Sequence, residues 1–238
     1  MGRSFRRSQS GTGKILIPTT SPDDWRRLLA DPNKHWRTGY SAKTLAYCWE
    51  AEPGFPPDIR RVFTDSGVDA FADIEMLLGI PEHQTPLPGG RRAAQADIFV
   101  LARNCHGLMT ITVEGKVDEH FDKLVSDWRS SDTTGKKTRL KFLCGVLGLE
   151  REQVDDIRYQ LLHRTASAIL EAGQFAASRA MMLVHSFSQD DEHIEDYASF
   201  LRLFGVIGEI NRIVSVGEVG GVQLYFGWVR GDPKYLKE

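Results

Sequence analysis

Two neighbouring strand-like segments carry acidic and basic side chains at spacings that could support chemistry. The first, ADIFVLAR, contains Asp97, and the second, LMTITVEGK, contains Glu114 and Lys116. Residues 104–107 (NCHG) separate them, with Asn first and Gly last as a type I turn prefers. We therefore predict a β-hairpin whose symmetric closure pairs residues with numbers that sum to 211.

This register gathers two carboxylates and a lysine on one patch of the hairpin. Asp97 faces Glu114, and Cβ atoms of directly opposed residues are about 4.5–5.5 Å apart. Gln95 faces Lys116, and Thr112 shares their face because side chains alternate along a strand. Since opposed like charges destabilise a sheet unless a cation compensates them, we expect a divalent metal held by oxygen ligands.

A third acid, Glu75, lies in a segment with helical periodicity. Between Gly67 and Gly79 the apolar residues recur at helical spacing, namely Val68, Phe71, Ile74, Leu77 and Leu78. The pattern predicts a helix with Glu75 on or beside its apolar stripe. Because an unpaired buried charge is costly, Glu75 either reaches solvent at the edge of the stripe or points at the acidic patch.

These residues resemble the PD-(D/E)xK superfamily of restriction-endonuclease-like nucleases: Glu75 on a helix, Asp97 in one strand and Glu114-Gly115-Lys116 in the next. The resemblance covers residues 67–190 in round numbers. It implies an α/β fold with a restriction-endonuclease-like core, in which helices flank a mixed sheet with a central hairpin. Ala96 stands where the family pattern has Pro, and Gly115 replaces the more usual apolar residue, which indicates a weakened or bulged strand.

The resemblance implies metal-assisted hydrolysis of phosphodiester bonds, with Mg²⁺ or Mn²⁺ as cofactor and nucleic acid, we expect DNA, as partner. Asp97 and Glu114 would hold the ion, and Glu75 would reach it directly or through water. Lys116 would position the attacking water or stabilise negative charge, and a simple ion pair with a neighbouring carboxylate is the alternative. The second hypothesis for function is a non-catalytic nucleic-acid-binding or protein-interaction module on the same fold.

Further polar residues are candidate substrate contacts. Gln95 would orient a metal-bound water. The resemblance also implies contacts from the predicted helix before the buried strand AMMLVHSFS, which carries Gln160, His163 and Arg164, although a solvated helix face is the alternative. Residues 129–141 (RSSDTTGKKTRLK) hold five basic residues against one Asp, and a polyanion could contact this cluster through Lys136, Lys137, Arg139 and Lys141.

Composition and the predicted helices and strands indicate how the chain is organised into segments. With 238 residues, 41% hydrophobic and 26% charged, it has the apolar content to fold. We predict an N-terminal helical elaboration over residues 1–66 and a nuclease-like core over residues 67–238, which ends with a helix at 193–204 and the strand VQLYFGWV.

Two further features are interpreted as having no role in the chemistry. The residues GTGK at 11–14 resemble the end of a phosphate-binding loop, but the other residues of that motif are missing. His185, inside an apolar strand, is predicted to be a satisfied core histidine.

The cysteines and the hydropathy of the chain indicate in which cellular compartment the protein is expected. The chain has three cysteines and no CxxC pair, which argues against a disulfide framework and a structural zinc site. No apolar run approaches the roughly 18 residues that span a bilayer. We expect a cytoplasmic protein with no membrane partner, and a homodimer is left open.

Overall fold

A computed structural model describes residues 19, 21–131 and 133–238, so the GTGK segment at 11–14 lies outside the described residues. Six strands form one mixed sheet in the order β1-β2-β3-β4-β6-β5. They are β1 Glu75–Thr85, β2 Ala94–Asn104, β3 Gly107–Lys116, β4 Arg179–Ser186, β5 Arg212–Val219 and β6 Val222–Arg230. β3, β4 and β6 run parallel, and the remaining neighbours pair antiparallel.

Helices cover both faces of this sheet. The α-helices are α1 Pro32–His35, α2 Ser41–Glu50, α3 Pro57–Asp65, α4 Val125–Trp128, α5 Thr134–Leu147, α6 Tyr159–Gln174 and α7 Ile194–Arg202, and short 3₁₀-helices span Pro22–Leu28, Asp69–Phe71, Arg151–Gln153 and Pro233–Lys237. One core packs α5, α6 and α7 on the sheet, and a second core packs α2 and α3 on the other face. Every residue of β4 is buried, as expected for a central strand covered on both sides.

The hairpin forms with the predicted register. Its pairs run from Ile98 with Val113 to Asn104 with Gly107, and each pair of residue numbers sums to 211. The predicted buried strand, the helix near 193–204 and the last strand are also confirmed, as β4, α7 and β6. The chain is therefore α/β, as predicted.

The helix predicted between Gly67 and Gly79 is wrong. The segment forms a 3₁₀ turn at Asp69–Phe71 and then enters β1, which continues through Pro81. A bulge between Met76 and Leu78 interrupts the alternation of the strand, so its apolar residues imitate a helical period. Pro81 is tolerated because β1 is an edge strand, where a missing N–H need not break a second ladder.

Other differences lie at element boundaries. Pro57 is the first residue of α3, which is a favourable position for proline. The helix predicted before the strand AMMLVHSFS forms as α6, which begins at Tyr159, and β5 was not predicted. The division between residues 66 and 67 stays a prediction, although α2 and α3 share a hydrophobic core with β2, β3 and β4.

A helix that crosses a bilayer needs about 20 consecutive, mostly apolar residues. None of the helices formed by residues 21–131 and 133–238 is both long and apolar enough to cross a membrane.

Candidate active-site cleft

The cleft begins where the hairpin ladder between β2 and β3 ends. Ile98 and Val113 form the last regular pair, and one step further the Gly115 amide donates a hydrogen bond to Asp97 Oδ2 at 2.7 Å. A Cβ at Gly115 would lie 3.1 Å from Leu45 Cδ2 and 3.4 Å from Asp97 Oδ2. Gly115 replaces the apolar residue of the family pattern because α2 approaches closely on one side and the Asp97 carboxylate on the other.

Glu114 lies at the centre of a buried polar network. Its Oε1 accepts hydrogen bonds from Lys116 Nζ at 2.9 Å and Gln160 Nε2 at 2.7 Å. Its Oε2 accepts one from Arg164 Nε at 2.5 Å. Arg164 Nη2 also lies 3.8 Å from Asp97 Oδ1, so α6 supplies a cation between the two carboxylates. Three of the predicted site residues, Asp97, Glu114 and Lys116, are therefore brought together with two predicted substrate contacts.

Glu82 of β1 is a third acid in this cleft and was missed from the sequence. Pro81 pairs with Ile98 and His83 with Ala96, so Glu82 lies opposite Asp97. Its φ of 53° is in the left-handed region, which departs from regular strand geometry. Gln95 Nε2 donates a hydrogen bond to Glu82 Oε2 at 2.7 Å. The sequence would have placed Glu82 in the cleft only if its segment had been assigned as a strand.

Glu75 does not reach the cleft. It lies at the exposed start of β1, paired in register with Arg103, whose Nη2 is 3.4 Å from its Oε2. Asp97 is six residues from Arg103 along β2, which corresponds to about 20 Å at the rise of a strand. The expectation that Glu75 joins Asp97 at a metal fails because its segment is a strand and not a helix packed over the hairpin.

The three cleft carboxylates differ in their protonation behaviour. Burial, reinforced by Asp97, raises the pKa of Glu82 to about 8. Burial and the Glu114 carboxylate raise the pKa of Asp97 to about 7. Burial would raise the pKa of Glu114 as well, but Arg164 and Lys116 outweigh it and hold this pKa below its usual range. Such opposed shifts of neighbouring acids are typical of functional sites.

Two walls enclose a volume of about 470 Å³ above these residues. One wall comes from the N-terminal region and the other from the segment after β3; they contain Leu29, Ala30, Lys34, His35, Ser41 and Ala42, and Glu119, His120 and Asp122 respectively. Glu119 Oε1 accepts hydrogen bonds from Ser41 N and Oγ, both at 2.9 Å, and its Oε2 accepts one from Val117 N at 2.9 Å. Glu119 thus joins the two walls.

The basic cluster on α5 lies outside the cleft lining. Arg139 is 9% exposed, and its guanidinium donates hydrogen bonds to the carbonyls of Leu87, Pro88 and Arg92 at 3.2, 2.9 and 2.6 Å. Arg139 is therefore a structural residue that holds the loop between β1 and β2, which corrects its assignment as a substrate contact.

The three lysines around Arg139 differ in how far they are held by other residues. Lys136 Nζ donates to Trp128 O and Ser131 Oγ at 2.5 and 2.6 Å, which fixes its ammonium group. Lys137 and Lys141 are exposed on α5. A role for these three lysines in binding stays a prediction.

His163 is not among the cleft-lining residues either. Its ring packs against Tyr159 with centroids 4.9 Å apart. Burial, together with the Arg164 charge, lowers the pKa of His163 well below its usual value. A neutral packed imidazole is the consistent description of this residue.

A second cluster of potential ligands, Cys48, Asp58 and His185, is buried on the α2 side of the sheet. Both imidazole nitrogens of His185 are already engaged: Trp49 Nε1 donates to Nδ1 at 3.2 Å, and Nε2 lies 3.1 Å from Asp58 Oδ2. Burial raises the pKa of the Cys48 thiol. His185 is thus a satisfied core histidine, as predicted.

The donor set of the cleft fits a hard divalent cation. Glu82, Asp97 and Glu114 offer carboxylate oxygens, which Mg²⁺ and Mn²⁺ favour over sulfur or imidazole. Burial first, and then a neighbouring carboxylate, raises the pKa of Glu82 and of Asp97, and a bound cation would lower both pKa values. Lys116 lies beside this set as a positively charged donor.

The model of a family described as a domain of unknown function (DUF6946) matches residues 18–233. No curated protein and no solved structure matches the chain.

Proposed function

The chain belongs to the family described as a domain of unknown function (DUF6946), and we propose from its cleft that it is a nuclease that hydrolyses phosphodiester bonds, in DNA first of all, with Mg²⁺ or Mn²⁺. The observation that carries the proposal is the convergence of Asp97, Glu114 and Lys116 where β2 and β3 separate. Carboxylates and a lysine in this arrangement suit metal-assisted phosphodiester hydrolysis.

The order of elements supports a restriction-endonuclease-like core as part of this proposal. Antiparallel β1, β2 and β3 are followed by α4 and α5 and then by α6, which leads into β4 parallel to β3. α6 packs on the face that carries Glu114, and Thr112 Oγ1 donates a hydrogen bond to Arg164 O at 2.9 Å. This contact positions the helix side chains over the hairpin.

Each cleft residue has a role in the proposed reaction. Asp97, Glu114 and Glu82 bind the cation, and Glu82 takes the place that the sequence had suggested for Glu75. A bound Mg²⁺ or Mn²⁺ supplies Lewis-acid polarisation of the phosphoryl oxygen and a lowered pKa for a coordinated water. Lys116 orients the attacking water or stabilises negative charge on the phosphate.

Supporting residues hold these groups in place. Gln160 and Arg164 fix Glu114, and Gln95 fixes Glu82 through hydrogen bonds of 2.5–2.7 Å. Arg164 also spreads positive charge toward Asp97. We assign these three as positioning residues.

The alternative is a non-catalytic interaction module on the same fold. One observation favours it: Lys116 is 4% exposed and already bonded to Glu114 at 2.9 Å and Gln160 at 3.1 Å. A closed ion-pair network of this kind could be purely structural. This alternative requires that the protein binds its partner without cleaving it in the presence of Mg²⁺.

Incubation of the purified protein with labelled DNA and RNA, with Mg²⁺, Mn²⁺ or EDTA, separates the two functions. The nuclease hypothesis expects metal-dependent cleavage that disappears in Lys116→Met, which keeps the buried stem and removes the ammonium. Cleavage that survives in Lys116→Met would show a contaminant or another site. Absence of cleavage of every substrate with both metals would favour the interaction module.

We also propose a cytoplasmic location. Cys48, Cys105 and Cys144 are all free thiols, as a reducing compartment requires. Detection of the native protein in a reducing compartment by fractionation is the direct check, and recovery from an oxidising compartment would contradict it.

A further inference from the structure

The reactive groups lie at the bottom of the cleft rather than on the protein surface. Glu114 and Lys116 are only 3% and 4% exposed, and the Asp97 side chain is 22% exposed. A phosphate must therefore enter the cleft to approach them. A flexible single strand can bend a phosphate into the cleft, whereas a stiff duplex holds its phosphates on a convex surface.

The cleft is bounded by walls on two sides. One wall comes from the N-terminal region and the other from the segment after β3. A duplex of a few turns is stiff and does not bend into the space between them. Glu119, hydrogen-bonded to Ser41 N at 2.9 Å, fixes the walls relative to each other.

The rim offers groups that bind unpaired nucleotides. His35 is exposed on one wall and His120 on the other, where its ring contacts that of His193 in a tilted arrangement with centroids 4.4 Å apart. Imidazole rings can stack on unpaired bases, and the exposed Lys34 can contact a backbone phosphate. Asp122 makes the rim mixed in charge, so we expect a modest salt dependence.

We propose that the cleft accepts a single-stranded segment of DNA, such as a tail or unpaired end, and excludes an intact duplex. This inference rests on the proposed function, because it concerns the substrate of the same site.

The first test compares cleavage of one labelled sequence as a single strand, as a blunt duplex and as a duplex with a single-stranded tail, each with Mn²⁺. The inference expects the single strand and the tail to be cut at least about 10-fold faster than the blunt duplex. A blunt duplex cut as fast as the single strand would overturn the inference and leave the proposed nuclease intact.

Binding without turnover separates this inference from the nuclease proposal. Fluorescence anisotropy with Ca²⁺, which binds the same oxygen ligands, measures affinity for the single strand and the blunt duplex. Tighter binding of the single strand supports the inference even if no substrate is cleaved, which would contradict only the nuclease proposal. Equal or tighter binding of the duplex would overturn the inference.

A rim variant tests whether the walls contribute to recognition. Lys34→Ala should weaken single-strand binding by about 3- to 10-fold, as expected for loss of one phosphate contact. Lys237→Ala, at an exposed lysine of Pro233–Lys237 away from the cleft, is the matched control and should leave the affinity unchanged. Equal affinities for the two variants would contradict the assignment of this rim.

Discussion

Asp97 Oδ2 accepts a hydrogen bond from the Gly115 amide at 2.7 Å, at the step where the β2–β3 ladder gives way to the cleft. A side chain thereby replaces a backbone partner and keeps the carboxylate fixed while the strands separate. This relationship links the hairpin register to the position of the acid in the proposed metal site.

Gly115→Ala tests this relationship. The added methyl group would lie 3.1 Å from Leu45 Cδ2 and 3.4 Å from Asp97 Oδ2. Because Leu45 Cδ2 is the end of a flexible side chain, we expect a modest loss of about 1 kcal/mol in the free energy of unfolding. Mn²⁺ affinity should fall because Asp97 is displaced, and calorimetric titration measures it. Unchanged stability and unchanged Mn²⁺ affinity would contradict the proposed role of Gly115.

Metal binding should depend on pH with a defined sign. The pKa values of Asp97 and Glu82 are raised to about 7 and about 8, so both acids hold protons at mildly acidic pH and lose them as the pH rises. A cation competes with these protons, and Mn²⁺ affinity should increase by at least about 10-fold between roughly pH 6 and 9. Calorimetry in buffers of different ionisation enthalpy should detect proton release at the acidic end. An affinity that is flat over this range would argue against both acids as ligands.

Lys116 should contribute to stability as well as to activity. Its side chain is buried and donates hydrogen bonds to Glu114 and Gln160 at 2.9 and 3.1 Å. Lys116→Met should therefore reduce the free energy of unfolding by about 1–3 kcal/mol, because Glu114 loses one buried partner and keeps Arg164. Urea denaturation measures the change. Lys237→Met is the matched surface control, and a loss no larger than that of the control would contradict the buried network.

Arg139 should behave as a structural residue. Its guanidinium donates to three loop carbonyls, so Arg139→Ala should cost about 2–3 kcal/mol by leaving buried acceptors without donors. Lys137→Ala and Lys141→Ala, on exposed positions of the same helix, should remain within about 0.5 kcal/mol of the wild type. Thermal denaturation of the three variants tests this difference. Similar stabilities for all three would show that the loop does not depend on Arg139.

The hairpin was predictable because its information is local. The NCHG turn sets the register, and alternation along each strand then fixes which side chains share a face. The network among Asp97, Glu114 and Lys116 follows from that register. Gln160 and Arg164 were found through the resemblance, since their approach depends on how α6 packs on the sheet.

Glu82 was not predictable in the same way. The bulge between Met76 and Leu78 hides the alternation of β1, and Pro81 resembles a stop signal when it is read without the sheet. Pairing with β2, a tertiary contact, overrides the helical pattern that had singled out Glu75. The burial of Arg139 also depends on a loop distant in sequence, which a charge count cannot reveal.

The most direct test of the central claim is Mn²⁺-dependent cleavage of labelled single-stranded and duplex DNA by four proteins: the wild type, Asp97→Asn, Lys116→Met and Glu75→Gln. Asp97 and Lys116 lie in the cleft, whereas Glu75 is an acid at the far end of β1. The account predicts cleavage by the wild type and Glu75→Gln, with at least about a 100-fold loss in the other two. Wild-type activity retained by Asp97→Asn, or no metal-dependent cleavage by the wild type, would contradict it.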